Sequence, residues 1–362
     1  MKKRRALKWQ TSPVGQPVDR VASTKIKNNY NGQPCEAAFF VFRKNPVASR
    51  FFEKFRYNIA MSVFQSIKNE FRIPGAFESW SFYRKSLTDI VLCVEKNPEE
   101  GYPEGNDPDN KRSGSIAILG AGPCNDIDLG RISRSFKSID LFDVDGDGLG
   151  IAVRRYGLKR TSGVDLKAVS LTGITEEATE SFFNRLYMYL VENGRTVTEE
   201  DFINRSISEL RLLEQKLYKS VNDFSEILPK GKYDLIVVAG LHSQLWSILS
   251  YSWHVLAGNV SEQILGGRPI DPESFHDHIK ELDDAFVPVL NEAILESAKQ
   301  RVVLASEYDP QNPVEGAWQC IKDVRERYTS ESIELRETTL RWPFYPEQNK
   351  EYTMLVQDIR KK

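Results

Sequence analysis

Short apolar runs of strand length recur from residue 116 onward, separated by stretches whose apolar positions fall at helical spacing. Ile116-Ala-Ile-Leu119, Ser138 to Asp145, Val164 to Gly173, Lys232 to His242 and Gln300 to Ser306 read as successive strand segments. The pattern then changes. Ser332 to Thr338 and Tyr352 to Asp358 alternate with period two around a Trp342-Pro-Phe-Tyr-Pro346 connection, which predicts an antiparallel hairpin closing a parallel sheet.

Upstream, Val47, Phe51, Phe55, Ile59 and Val63 recur at helical spacing, and after Ile73-Pro-Gly75 a second helix is expected over 76–93. Two helical insertions enlarge the sheet domain. The first spans 175–229: helices over 176–193 and 199–228, with Thr175 and Thr198 as N-caps and Gly194 as the break. Its second helix carries Ile203, Ile207, Leu210, Leu213, Leu217, Val221 and Phe224 on one stripe, a packing surface first and a homodimer seam or lid second. The other insertion spans 243–299. It holds the aromatic segment with Trp246, Tyr251, Trp253 and His254, a candidate wall for an apolar acceptor, and a helix over 272–297.

The chemistry begins where the first strand ends. Gly120 and Gly122 let backbone N–H groups approach a ligand closely, because no Cβ blocks them. The second strand ends in carboxylates at Asp143 and Asp145, and an acid at that strand tip can accept the hydroxyl protons of a ribose. Together these features describe a nucleoside pocket.

From Gly114 onward the sequence resembles the class I S-adenosylmethionine-dependent methyltransferases, on the glycine loop after strand one, the acid after strand two, Asp234 near the start of strand four and the terminal hairpin. The resemblance implies an α/β fold: a seven-stranded, mostly parallel Rossmann-like sheet with an antiparallel C-terminal hairpin, an N-terminal helical cap and helical insertions. It implies S-adenosyl-L-methionine as cofactor, held by Gly120, Gly122, Asp126, Asp143, Asp145, Thr172 and Gly173. Methyl transfer to a small or medium-sized acceptor follows, with His242 directly after strand four as the first candidate base and His254 as the second. The chain departs from the family pattern at Ile118, where an acid is usual, at Cys124, where a third glycine is usual, and at Ser170 or Thr172, where an acid often meets the adenine. Two other readings share the pocket: an NAD(P)-dependent oxidoreductase, which should have an all-parallel sheet, and a non-catalytic, methyltransferase-like binding protein.

The expected organisation is a basic arm over 1–34, a helical cap over 35–98, a linker over 99–113 and the methyltransferase-like domain over 114–362. A chain of 362 residues with 40% hydrophobic content can bury a full core, and a formal charge of −2 gives no drive toward nucleic acid or an anionic membrane. Lys2, Lys3, Arg4 and Arg5 lack accompanying stacking aromatics and read as a solvated tail. No apolar run has membrane-spanning length, none follows the basic start as a signal peptide requires, and four scattered cysteines suit a reducing cytoplasm. Metal is not expected. Asp143-Val-Asp145-Gly-Asp147-Gly148 opens like a calcium loop, but Arg154 stands where the bidentate glutamate belongs. His276 and His278 would diverge on a helix.

Overall fold

The computed structural model of the chain describes Lys68 and residues 72–93, 113–158, 163–328 and 332–362, all within the unit Arg50–Lys362. The basic arm, the helix expected around Val47 to Val63 and nearly all of the linker lie outside the described residues.

The strands are β1 (Ser115–Leu119), β2 (Ser138–Asp143), β3 (Val164–Ala168), β4 (Tyr233–Ala239), β5 (Ala298–Glu307), β6 (Ile333–Tyr345) and β7 (Lys350–Lys361). They form a seven-stranded sheet in the order β3-β2-β1-β4-β5-β7-β6. β1 to β5 pair in parallel, and β7 enters antiparallel between β5 and β6. The expected sheet and its closing hairpin are therefore present.

Helices cover both faces, as a parallel sheet requires. Among the described residues they are α1 (Ala76–Ser79), α2 (Ser81–Val91), α3 (Leu129–Ser135), α4 (Gly146–Arg155), α5 (Glu176–Asn193), α6 (Glu199–Ile227), α7 (Ser247–Gln263), α8 (Glu273–Ser297) and α9 (Ala317–Arg327). Alternation along β1 sorts the core: Ile116 and Ile118 join the apolar cluster under α1 to α4, whereas Ala117 and Leu119 join the one under α5 to α9. A one-residue slip of β1 would exchange the two sets.

Local chemistry fixes the ends of the first insertion. Thr175 Oγ1 accepts the Ala178 N–H at 3.2 Å, and Gly194, with φ 56°, stops α5 in a conformation costly for residues with a Cβ. Thr198 and Asp201 form a reciprocal capping box that starts α6.

Four expectations are corrected. β3 stops at Ala168, because the Ser170 hydroxyl turns to the Ile174 carbonyl at 2.8 Å and Gly173 takes φ 73°. β5 runs one residue further, to Glu307. β6 continues through Trp342 to Tyr345 with a register shift, and Pro343 is tolerated because β6 is the sheet edge. The α6 stripe differs only at its start: Leu210, Leu213, Leu217 and Phe224 are buried as expected, but in the first two turns Phe202 and Ser206 are buried while Ile203 and Ile207 are half-buried. That face packs on this chain's own α5 and α8. Of the aromatics after β4, Trp246 and Trp253 are core, whereas Tyr251 and His254 are exposed. Trp253 stacks on Phe275 at 4.1 Å and donates to Ser206, and Trp246 donates to Asp283.

Replacing Thr198 by Ala removes one side of the capping box and should lower stability by about 1 kcal/mol. Chemical denaturation checks this; an unchanged midpoint would show that α6 is held by packing alone.

Candidate functional site at the C-terminal ends of β1, β2, β4 and β5

β1 ends in a turn built from left-handed residues: Gly120 (φ 68°), Gly122 (φ 44°) and Cys124 (φ 50°). Cys124 holds, with a side chain, a backbone conformation that glycine adopts freely, so the turn keeps its shape although the third glycine is missing. A Cβ on Gly120 would lie 3.1 Å from the Leu241 side chain, which follows β4. Asp143 binds this turn to β2. Its Oδ2 accepts the Gly122 N–H at 2.8 Å and its Oδ1 accepts the Asp145 N–H at 2.7 Å. Burial pushes the Asp143 pKa up; the two N–H groups and Lys68 oppose that, and Asp145 adds to it.

Asp145 does different work. Its carboxylate meets Lys68 Nζ at 3.0 Å and Arg72 Nη2 at 3.0 Å, so cationic residues upstream of α1 reach the rim of the site. Burial disfavours its charge, but these cations hold the pKa below the usual carboxylate range. A Cβ on Gly148 would be 2.8 Å from Asp145 Oδ2 and 3.3 Å from the Gly122 backbone, so the start of α4 needs a glycine there. The three acids of the calcium-like stretch separate: Asp143 faces Gly122, Asp145 faces the cations and the Asp147 side chain is 83% exposed.

Asp126 lines a cavity of about 10 Å³ with Ile118, Gly120, Ala121, Cys124 and Ala239. Burial pushes its pKa up to about 7; its own N–H and Arg84 pull it down, while Asp143 and Glu307 raise it. The loop carrying it is clamped from two sides. Arg84 donates to the Asn125 carbonyl at 3.0 Å, and Arg155 donates to the Pro123 carbonyl at 3.0 Å. Both guanidinium groups lie against the Phe77 ring.

The remaining expected residues fall elsewhere. Thr172 is buried beside Gly173, past the end of β3, and its hydroxyl accepts the Ile174 N–H at 3.2 Å. His242 is buried; its Nε2 bonds Asn291 Oδ1 at 3.0 Å, and Asn291 in turn donates to Asp323. Burial pushes its pKa down to about 4. These bonds direct the ring toward α8 and α9. His254 lies on α7 with its Nε2 2.7 Å from His276 Nε2, and burial followed by that neighbour lowers its pKa to about 4. Neither histidine bonds the glycine turn or Asp143. In contrast, Gly120, Gly122, Asp126, Asp143 and Asp145 form one connected site.

Sequence reasoning missed Glu307, the last residue of β5. Its Oε1 accepts the Ser243 hydroxyl at 2.7 Å, and burial pushes its pKa up to about 7. An acid ending an apolar run was the available signal. Tyr83 of α2 was missed too; it is buried, and the charges of Asp126 and Glu307 add to burial in raising its pKa.

No protein-family model matches the chain, and no curated protein matches it. Among solved structures it is similar to the N-methyltransferase NodS from Bradyrhizobium japonicum in complex with S-adenosyl-L-homocysteine: 13% identity, 83% of this chain and 99% of that one, TM-score 0.35. It is also similar to magnesium protoporphyrin IX methyltransferase from Synechocystis with bound SAM (10% identity, 77% and 79% of the two chains, TM-score 0.34). Overlaps this loose add nothing to what the strand order establishes. That order, with β7 reversed beside β5, is the class I methyltransferase fold.

The raised carboxyl of Glu307 sets a pH dependence. A group whose folded pKa lies above its unfolded value takes up a proton on folding, so its contribution is favourable at low pH and is lost as pH rises from about 4.5 to about 7. Glu307→Gln removes that penalty. The variant should gain on wild type as pH rises from 5 to 8, approaching roughly 3 kcal/mol. Urea denaturation at both pH values checks this, and a pH-independent difference would refute it.

Proposed function

We propose that the protein binds S-adenosylmethionine across the ends of β1 and β2 and transfers its methyl group to a small or medium-sized acceptor. One observation carries the reading: the left-handed glycine turn is tied through Asp143 to the end of β2, in a sheet ordered β3-β2-β1-β4-β5-β7-β6.

The residues present fit the cofactor. Each Asp143 oxygen spends one lone pair on a backbone N–H, leaving one apiece for the two hydroxyls of a ribose. Asp126 faces the same small cavity as Ile118, so it supplies a carboxylate beside the position where the family's usual acid is missing. It suits the amino group of the methionine moiety.

When bound, S-adenosylmethionine supplies an electrophilic methyl on a sulfonium, so the protein chiefly has to align an acceptor lone pair and exclude water. Buried Trp80, Tyr83 and Trp342 provide that exclusion. His242 and His254 are committed to Asn291 and His276, and we assign neither a part in the transfer. An oxidoreductase reading is disfavoured by the reversed β7. A cytoplasmic setting suits Cys93, Cys124 and Cys320, which are free thiols. No helix among the described residues is long and apolar enough to cross a membrane.

Calorimetric titration with S-adenosylhomocysteine and with NADPH tests the proposal. Wild type should bind the former, and Asp143→Ala should weaken it at least about ten-fold, since hydrogen bonds to a charged group contribute about 1.5–3 kcal/mol each. Asp145→Ala, which faces Lys68 and Arg72, should have the smaller effect. Binding of NADPH alone, or equal affinity for wild type and the Asp143 variant, would refute the assignment.

A further inference from the structure

Where α1 and α2 pack against β6, beside the ends of β4 and β5, polar atoms are left without partners among the described residues. Glu307 is 7% exposed, and while its Oε1 takes the Ser243 hydroxyl, its Oε2 is buried with no hydrogen-bond partner. The indole Nε1 atoms of Trp80 and Trp342 are buried and unpartnered in the same layer. Buried polar atoms are nearly always paired, because leaving one unpaired forfeits its hydration without return. A carboxylate oxygen left in this state is an acceptor held open for a donor from outside the fold.

The surroundings specify that donor. A Cβ on Gly240 would lie 3.4 Å from Gln244 Nε2, 3.7 Å from the Trp342 ring and 3.9 Å from Glu307 Oε1, which brings the indole and the acid to one point. The Trp342 ring stacks on Tyr83 at 5.7 Å and meets Trp80 edge-on at 4.9 Å. The influences on the Glu307 carboxyl are burial, the Ser243 hydroxyl and a backbone N–H, with no cation among them. A buried acid without a counter-charge beside electron-rich rings complements an ammonium group. Gly240 directly follows β4, Gly120 directly follows β1, and Leu241 touches Gly120, so this layer adjoins the glycine turn.

Building on the methyl-transfer reading above, we propose that this layer is the acceptor subsite and that the acceptor is an amine whose ammonium is received by Glu307. Glu307 Oε2 takes one proton from the ammonium and leaves a lone pair on nitrogen. That pair forms the N–C bond as the C–S bond breaks with its electrons on sulfur, and the carboxyl then releases its proton to solvent. The Trp80, Tyr83 and Trp342 rings hold the cationic substrate and product, and stabilise the positive charge that returns to nitrogen as the N–C bond forms.

The test titrates the full chain at pH 8 with primary amines and their alcohol counterparts, 2-phenylethylamine against 2-phenylethanol first, reading tryptophan fluorescence with and without saturating S-adenosylhomocysteine. Wild type should prefer the ammonium member of a pair by about ten-fold or more, and Glu307→Gln should reduce that preference to about two-fold or less. The glutamine variant should stay folded, as its urea midpoint will report. No ammonium preference in any pair, or a preference that survives in Glu307→Gln, overturns the proposal. The two readings fail separately: loss of homocysteine-product binding alone refutes the cofactor, while the amine titration without it still reports on Glu307. Mass spectrometry of a turnover mixture should find the methyl on nitrogen; methylation of an alcohol would likewise overturn the assignment.

Discussion

One carboxylate, Asp143, holds the site together. The turn after β1 and the end of β2 belong to neighbouring strands, but backbone pairing fixes the turn only as far as Ala121, whose N–H reaches the Phe142 carbonyl at 3.0 Å. Asp143 bridges the gap by accepting an N–H from each side, at Gly122 and at Asp145. Its ionisation is costly because it is buried, and the backbone donors offset only part of that cost. The arrangement is thus pre-organised for hydroxyl donors: the acid is already charged-assisted by the fold, yet retains lone pairs for a ligand.

The same geometry explains why the departures from the family pattern are tolerated. Cys124 keeps a positive φ at the position where glycine is usual, so the loop pays some backbone strain to preserve the direction of its N–H groups. The cost is bearable because Arg84 and Arg155 tie down the Pro123 and Asn125 carbonyls, and the Tyr156 hydroxyl ties down that of Ile127 at 3.0 Å. Ile118 cannot supply a carboxylate and is simply core. Asp126, reached later in the same loop, brings an acid back to the same cavity.

What the sequence made legible was local or periodic. Thr175, Thr198 and Gly194 announce helix ends through bonds made within a few residues, and the structure has all three. The period-two runs foretold the β6–β7 hairpin, although β7, paired on both sides, is buried on both faces from Met354 to Ile359. Direction in space was not legible. His242 stands in sequence where a base would serve, yet its ring partner Asn291 comes from α8, and nothing near residue 242 announces that. The tryptophans after β4 looked like a pocket wall; Phe202 and Phe275, distant in sequence, make Trp253 core. Glu307 escaped notice for the same reason, since its meaning depends on Ser243 and Trp342 from two other segments.

Charge distribution then separates the rim from the floor of the site. At the rim, Asp145 is neutralised by Lys68 and Arg72 and its pKa falls. On the floor, Asp126 and Glu307 have their pKa values pushed up to about 7, chiefly by burial, and Asp126 is pushed further by Glu307 itself. Two acids buried in a low-dielectric layer, one of them raised further by the other's charge, gain most from a ligand carrying positive charge, because a cation offsets the desolvation that burial imposes on their charged forms. The ligands proposed above carry such charge: S-adenosylmethionine has both a sulfonium and an ammonium, and the proposed amine acceptor would bring a further cation. A site floored by these acids and roofed by Trp80, Tyr83 and Trp342 is therefore least stable empty and ionised, and that energetic gap is what binding can draw on.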